Sequence, residues 1–257
     1  MSRPNVLVIA GHDPSGGAGI QADIEAIGAC GAHPATVVTA LTCQDTVNVH
    51  AVMPTDEAFF DDCLTRLLDD MTFAAIKTGV LADVTQVRRV AAVAEALPEI
   101  PLVVDPVLVA AGGGRLAADS VAAAMVDDLL PRATISTPNV REAQTLCDGE
   151  TDIAACGARL TRHGGHVLIT GGDETEDTHV HNQLYGRNGR LRAYDWPRLP
   201  GTFHGSGCTL AATLAGLLAG GRSLEDAVIE AQHRTWNMLS SAFAAGQGQA
   251  IPSRYAR

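Results

Sequence analysis

The chain holds a single lysine, Lys77, against seventeen arginines. A site that must neutralise phosphate therefore has few flexible ammonium groups to draw on. Six cysteines are present, but no C-x-x-C pair or His-rich spacing accompanies them, which argues against a structural zinc site or a disulfide framework. No apolar run approaches the ~20 residues that would span a bilayer. The opening MSRPNVLVIAG carries too short an apolar stretch for a signal peptide. A soluble, cytoplasmic protein with no membrane partner is expected. There is no Walker G-x-x-x-x-G-K-[ST] motif, no internal repeat and no low-complexity segment. A formal net charge of −11 disfavours a nucleic-acid partner.

What is present is the composition of a globular chain, 46% hydrophobic and 18% charged over 257 residues. Strand-like and helix-like patterns alternate throughout. NVLVIAG, ATVVTALT, AAIKTGVL, PLVVDPVLV, ATISTPN and HVLITGG read as strands, and HNQLYGRNGRLRAYDW as a hairpin turning at GRNG. Helical patterns fill the intervals, and two close the chain. Strands apolar on both sides and separated by helices predict a mostly parallel central sheet with helices on both faces, an α/β sandwich of three layers. No linker divides it, so one domain over 1–257 is expected. The final GQGQAIPSRYAR reads as an exposed tail without chemistry.

Ligands in such sheets bind beyond the carboxyl ends of the strands. Gly11, Asp13, Gln44, Lys77, Asp105, Asn139, Gly171 and Gly172 close strands and become candidates. Gly17–Ala22 satisfies the dinucleotide pattern G-x-G-x-x-[GA], but Asp-Pro-Ser separates it from its strand and no acidic residue ends the second strand directly. HGSGC offers something different. Gly205, Ser206 and Gly207 open a helix with successive free N–H groups, an anion nest. Cys208 lies in that first turn, where the helix dipole favours ionisation of a thiol. It reads as a proton acceptor or as a small buried apolar residue. Asn139 and Glu142, three apart, fit either a metal and phosphate pair or a helix cap. Asp105 fits either a second acidic contact to Mg²⁺ or a turn before proline.

GHDPSGGAGIQAD, TALTCQDT, IKTGVL, DPVLVA, TPNVREA and HGSGCTLAA occur in this order over nearly the whole chain. Together they closely resemble the hydroxymethylpyrimidine/phosphomethylpyrimidine kinases of thiamin biosynthesis, of the ribokinase-like superfamily. The resemblance implies a ribokinase-like fold. It also implies ATP- and Mg²⁺-dependent phosphorylation of 4-amino-5-hydroxymethyl-2-methylpyrimidine, then of its monophosphate, and a homodimer. It places Gly11, Asp23, Gln44, Val80 and Val107 around the pyrimidine. Asn139, Thr170 and Gly172 fall at the nucleotide, Asp105 and Glu142 at the metal, and Gly205, Ser206 and Gly207 at the anion hole, with Cys208 as base. An aminopyrimidine edge suits a carboxylate such as Asp23 and an amide such as Gln44. A thiol base would also spare a phosphorylated acceptor the repulsion of a fixed carboxylate. The sequence departs from the family at several points. TGGD replaces KGGH from Thr170 to Asp173, Val80 a methionine, Ala111 a lysine, His12 a serine and Ser206 a threonine. Glycine-bounded segments at 110–115 and 173–181 are candidates for excluding water. The alternatives are a pyridoxal kinase on the same fold, a non-catalytic pyrimidine-binding regulator and, more distantly, a dinucleotide oxidoreductase.

Overall fold

The structure, a computed structural model, describes residues 3–108, 119–173 and 177–255. Ala111, the segment 110–115 and part of 173–181 lie outside the described residues. Among the described residues nine strands form one sheet: β1 (Asn5–His12), β2 (His33–Gln44), β3 (Val49–Pro54), β4 (Ala75–Thr78), β5 (Leu102–Val104), β6 (Ile135–Ser136), β7 (His166–Ile169), β8 (His179–Gly186) and β9 (Gly189–Pro197). Their order is β3-β2-β1-β4-β5-β6-β7-β8-β9. Pairing is parallel from β2 through β7 and antiparallel for β3, β8 and β9.

The helices are α1 (Gly19–Ala29), α2 (Glu57–Asp70), α3 (Val84–Ala96), α4 (Asp119–Ala124), α5 (Val140–Leu146), α6 (Ile153–Leu160), α7 (Ser206–Ala219) and α8 (Leu224–Ser240). The period-2 alternation of β1 sorts them into two layers. Leu7 and Ile9, with Ile76 and Val104, pack against Phe60 and Leu64 of α2 and Val87 and Val90 of α3. Val6 and Val8, with Ala75 and Val103, pack against Ile27 of α1, Leu210 and Leu214 of α7 and Val228 of α8. Both faces of the sheet are covered, as expected from strands with no polar side.

Most of the fold follows the sequence pattern, including the β8–β9 hairpin, whose register closes Gly186 on Gly189 around Arg187 and Asn188. Two elements differ. β3 is an unforeseen edge strand, and its mixed exposure lacks the alternation that marks a half-buried strand. The helix beginning at Asp119 does not continue regularly to Pro131. It gives way to a π turn at Met125–Leu129 and a 3-10 turn at Leu130–Arg132, because proline cannot donate the next helical hydrogen bond. Among the described residues no helix is long and apolar enough to cross a membrane.

Helix starts separate structural from available amides. Asp56, Asp83, Asn139, Asp152 and Ser223 cap α2, α3, α5, α6 and α8 with their side chains. α1 and α7 begin without a side-chain cap. They also pack closely: a Cβ on Gly216 of α7 would lie 2.9 Å from Cys30 Cβ at the end of α1. The two uncapped N-termini also lie side by side, since a Cβ on Gly205 would fall 2.9 Å from Ala18 Cα.

Candidate active site

Gly205 caps α7 in the left-handed region, at φ 70°. A Cβ there would sit 2.1 Å from Gly17 O, so glycine is required twice, by conformation and by contact. The backbone N–H groups of Ser206, Gly207 and Cys208 follow it in the first turn, with no side-chain acceptor. Four-residue periodicity leaves them without helical partners, and the dipole makes their mouth positive. The nest expected from HGSGC therefore exists as a local geometry. Gly17 closes it from the other side, where a Cβ would collide with the His204 ring at 2.0 Å.

Cys208 is partly exposed on this turn, but its acidity is the reverse of the sequence expectation. Burial, and then the Asp105 and Asp23 carboxylates, push the thiol well above its ordinary range, against the opposing pull of Lys77. The helix dipole is outweighed by burial and by the Asp105 carboxylate, which accepts a hydrogen bond from the thiol. The ligand-free site holds Cys208 as a thiol.

Beneath it lies a wholly buried ionic cluster. Lys77 Nζ is 2.7 Å from Asp23 Oδ1, donates to Asp23 Oδ2 at 2.9 Å, and stands 4.0 Å from Asp105 Oδ2. Burial opposes the ammonium, yet the carboxylates of Asp23 and then Asp105 keep Lys77 protonated. Burial pushes the Asp23 carboxyl up and Lys77 draws it back. This corrects the placement of Asp23 on the pyrimidine. Its side chain is completely buried and engaged by Lys77, so it cannot pair with a base edge.

Asn139 and Glu142 form a capping box. Asn139 Oδ1 accepts from Glu142 N at 2.8 Å, and Glu142 Oε2 accepts from Asn139 N at 3.0 Å. The two readings of this pair are thus joined in one structure, because the cap holds Glu142 close enough to Asp105 for their charges to interact. Burial, then Asp105, pushes Glu142 up to about 8. Burial also pushes Asp105 to about 6, with Lys77 opposing and Asp23 assisting. Among the described residues Asp105 Oδ2 has no hydrogen-bond partner. Among the described residues no three His, Cys, Asp or Glu side chains gather to hold a metal. Mg²⁺ needs only one or two carboxylates beside water and phosphate, so two buried, mutually repelling carboxyls fit it.

The raised Glu142 gives a test in the ligand-free protein. Its folded form keeps a proton that the unfolded chain releases near its ordinary 4.5, so its stabilising contribution is complete below that pH. The contribution is lost as pH rises towards about 8. Thermal unfolding should therefore show the melting temperature falling across that window, with the fall reduced in Glu142→Gln. A wild-type profile identical to that of the variant would contradict this placement.

Thr170 continues the line of strand ends, bridging Asn139, and its carbonyl accepts from Val140 N at 3.2 Å. Gly172 is held through its carbonyl by Arg198 at 3.2 Å. On the other flank, Gly11 ends β1 with space for a Cβ 3.5 Å from Val80 Cβ, which places these two together. Val107 follows β5, with its N–H bonded to Asp105 O at 2.9 Å, and is partly exposed. Gln44 ends β2, and its Nε2 lies 2.9 Å from His204 Nε2, which is 2.8 Å from Asp13 Oδ2. Burial opposes ionisation of Asp13, but hydrogen bonds from His204, Ser15 and Ala18 hold it at about 2. The Nε2–H of His204 is committed to Asp13, and these close approaches bring the end of β2 against the β1–α1 loop and the approach to α7.

A cleft of about 460 Å³ opens beside Gln44, walled by Pro14 and Ser15, by Gln44 to Val47, and by Ala245 to Gln247. His204 and the C-terminal tail were missed as site components. His204 is buried against two polar partners, a pairing visible only once β2 and α7 are neighbours. The tail is not a free end: Gly248 N donates to Thr46 Oγ1 at 3.0 Å, and Arg254 is 1% exposed.

A family model described as phosphomethylpyrimidine kinase matches residues 13–253. The chain belongs to the phosphomethylpyrimidine kinase family. It is 37% identical to the hydroxymethylpyrimidine/phosphomethylpyrimidine kinase of Escherichia coli, over 95% of this chain and 92% of that protein. It is 36% identical to a probable thiamine biosynthetic bifunctional enzyme of rice, over 89% of this chain. This family member spans only 43% of the rice protein's length. Among solved structures it resembles Bacillus subtilis pyridoxal kinase in an ADP complex, with a TM-score of 0.89 at 27% identity and 98% of each chain covered. It also resembles phosphomethylpyrimidine kinase from Clostridium difficile, with a TM-score of 0.74 at 28% identity, over 90% of this chain and 97% of the other. The ribokinase-like fold implied by the sequence motifs is thus the fold of these kinases.

Proposed function

We propose that the chain transfers the γ-phosphoryl group of ATP to the hydroxymethyl oxygen of 4-amino-5-hydroxymethyl-2-methylpyrimidine, and then to its monophosphate to give the diphosphate. One observation carries the reading. The uncapped turn at Gly205–Cys208 closes on Gly17, and His204, just before that turn, lies against Gln44 on the wall of the cleft, so anion donors and an amide reader are close neighbours. The relatives favour the pyrimidine as acceptor. Bacterial kinases named for both pyrimidines match at 32% to 37% identity over nearly their full length. The pyridoxal reading draws on structures at 27% to 29% identity.

Phosphoryl transfer needs positioning and charge stabilisation more than covalent help. The amides of Ser206, Gly207 and Cys208 hold the transferring group, with the dipole of α7 behind them. Gln44, whose Oε1 accepts from Thr42 Oγ1 at 3.2 Å, orients the ring, while Gly11, Val80 and Val107 wall it. Asn139, Thr170 and Gly172 line the nucleotide side. Asp105 and Glu142 would hold Mg²⁺, which when bound neutralises nucleotide phosphate charge. Cys208 faces the hydroxyl; its thiol first releases its own proton to solvent as the charge of Asp105 beside it is offset, and the thiolate then accepts the hydroxyl proton late in transfer. Lys77, 4.0 Å from Asp105, supplies part of that offset. Leu41 and Met53, paired across the β2–β3 edge and 45% and 61% exposed, support a homodimer within the same reading.

The test is product formation by purified protein with Mg-ATP, offering the hydroxymethylpyrimidine, its monophosphate and pyridoxal separately. Both pyrimidines should be phosphorylated. Turnover of pyridoxal alone would reassign the acceptor, and binding without turnover would make the protein a pyrimidine sensor.

A further inference from the structure

After α8 the chain runs back across the mouth of the cleft and is fastened as it goes. Gln249 N donates to Thr46 O at 2.9 Å, Ala250 N to Thr202 O at 3.0 Å, and His204 N to Ala250 O at 2.9 Å. Ser253 N then donates to Met238 O at 3.0 Å. Arg254 follows and turns inward, the largest fully buried side chain among the described residues. Its Nε donates to Thr209 Oγ1 at 2.8 Å. One terminal nitrogen donates to Gly16 O at 3.4 Å and to Glu25 Oε2 at 3.2 Å, and the other donates to Gly17 O. Thr209 Oγ1 in turn donates to Gly205 O at 2.7 Å.

A guanidinium is expensive to bury unless its donors are used and its charge is paired. A tail that needed only an anchor could bury an apolar side chain, as Ile251 does at 5% exposure. Arg254 instead spends its donors on the two walls of the site: the β1–α1 loop with α1 on one side, the first turn of α7 on the other. Its planar fork fixes both the distance and the angle between those acceptors. The Gly17 carbonyl that it holds is the atom that abuts Gly205, so the spacing of loop and nest is set at that point.

We propose that Arg254 is a positioning residue, fixing the glycine loop on the acceptor side against the anion nest on the phosphate side, so that the attacking hydroxyl stays in line with the transferring group. The contacts stand alone; the kinetic consequence rests on the phosphotransfer reading. A misplacement of about 1 Å costs roughly a hundredfold in rate. Arg254→Ala should lower kcat for pyrimidine phosphorylation by about that factor, with the KM for ATP little changed. ATP hydrolysis without transfer should persist, so the ratio of ADP to phosphorylated product rises. A role in folding alone would lower both in proportion, leaving the ratio at the wild-type value, and that result overturns the proposal. Arg254→Lys keeps the charge but not the fork and should resemble the alanine variant, whereas added methylguanidinium should restore part of the transfer to Arg254→Ala. Full activity in the lysine variant would also overturn it.

If Arg254→Ala does not fold, Thr209→Val removes one acceptor of the fork and should raise the same ratio; an unchanged ratio refutes the clasp. A wild-type protein that does not phosphorylate the pyrimidine refutes the functional reading instead. The clasp is then decided by amide exchange at residues 16–20, which should quicken in Arg254→Ala and would refute it by staying unchanged.

Discussion

Changing Cys208 to alanine should lower kcat for pyrimidine phosphorylation by about 10²- to 10⁴-fold, the usual contribution of a positioned proton acceptor. The fold should be unaffected, since the thiol is partly exposed and alanine suits the first turn of α7. The amides of the nest belong to the backbone and survive the change, so slow residual transfer is expected rather than none. Cys208→Asp is more informative. Asp105 already stands beside the sulfur and raises its pKa, so a second carboxylate would add repulsion at that point. The neutral hydroxymethylpyrimidine should still be phosphorylated, while the anionic monophosphate should be turned over far more slowly. Separate initial-rate assays with the two acceptors, on protein checked by circular dichroism, measure this. An alanine variant with near-wild-type kcat would remove Cys208 from the reaction, and an aspartate variant equally active on both acceptors would remove the repulsion argument.

Lys77→Met should destabilise the protein by about 3–5 kcal/mol, the cost of stranding a buried charge. For a chain of this size that amounts to a fall of roughly 6–20 °C in melting temperature. The reason lies in the geometry. Both oxygens of Asp23 depend on Nζ, and neither residue has any exposure. Replacing both members by apolar residues is often neutral, so Lys77→Met combined with Asp23→Leu should recover much of the loss. Activity should not return with it. Asp105 loses its neighbouring cation in both variants, and Cys208 then faces an unbalanced carboxylate. Thermal unfolding and kcat measured on wild type and these two variants decide the matter. A single variant as stable as wild type, or a double variant with restored kcat, would contradict this account of the cluster.

The parallel strands were legible because their apolar runs end in Gly, Pro, Asp or Asn, and the anion nest because three small residues precede an apolar helix. β3 was not, since VHAVMP at an edge is stabilised by pairing with β2 rather than by a buried face. Asp23 was assigned to the ligand because residue type alone cannot say which way a helix turns a carboxylate; the position of Lys77 one strand away decides it. The acidity of Cys208 was misjudged for a related reason. The helix dipole can be read locally, but the opposing Asp105 arrives from β5, about a hundred residues distant in the chain. His204 and Arg254 carry no motif that marks them as site residues. Their roles arise from contacts with Asp13, Gln44, Gly17 and Thr209, made only when the two ends of the chain meet.

The completely buried Lys77 is also the chain's whole supply of side-chain amines. The folded surface therefore offers no lysine to acetyl, methyl or ubiquitin transfer, modifications that act on an accessible ε-amine. Amine-directed cross-linkers and dyes would likewise find no side chain to react with until the core opens. Labelling of Lys77 thus becomes a chemical signal of unfolding, silent in the native state and switched on by loss of the sheet.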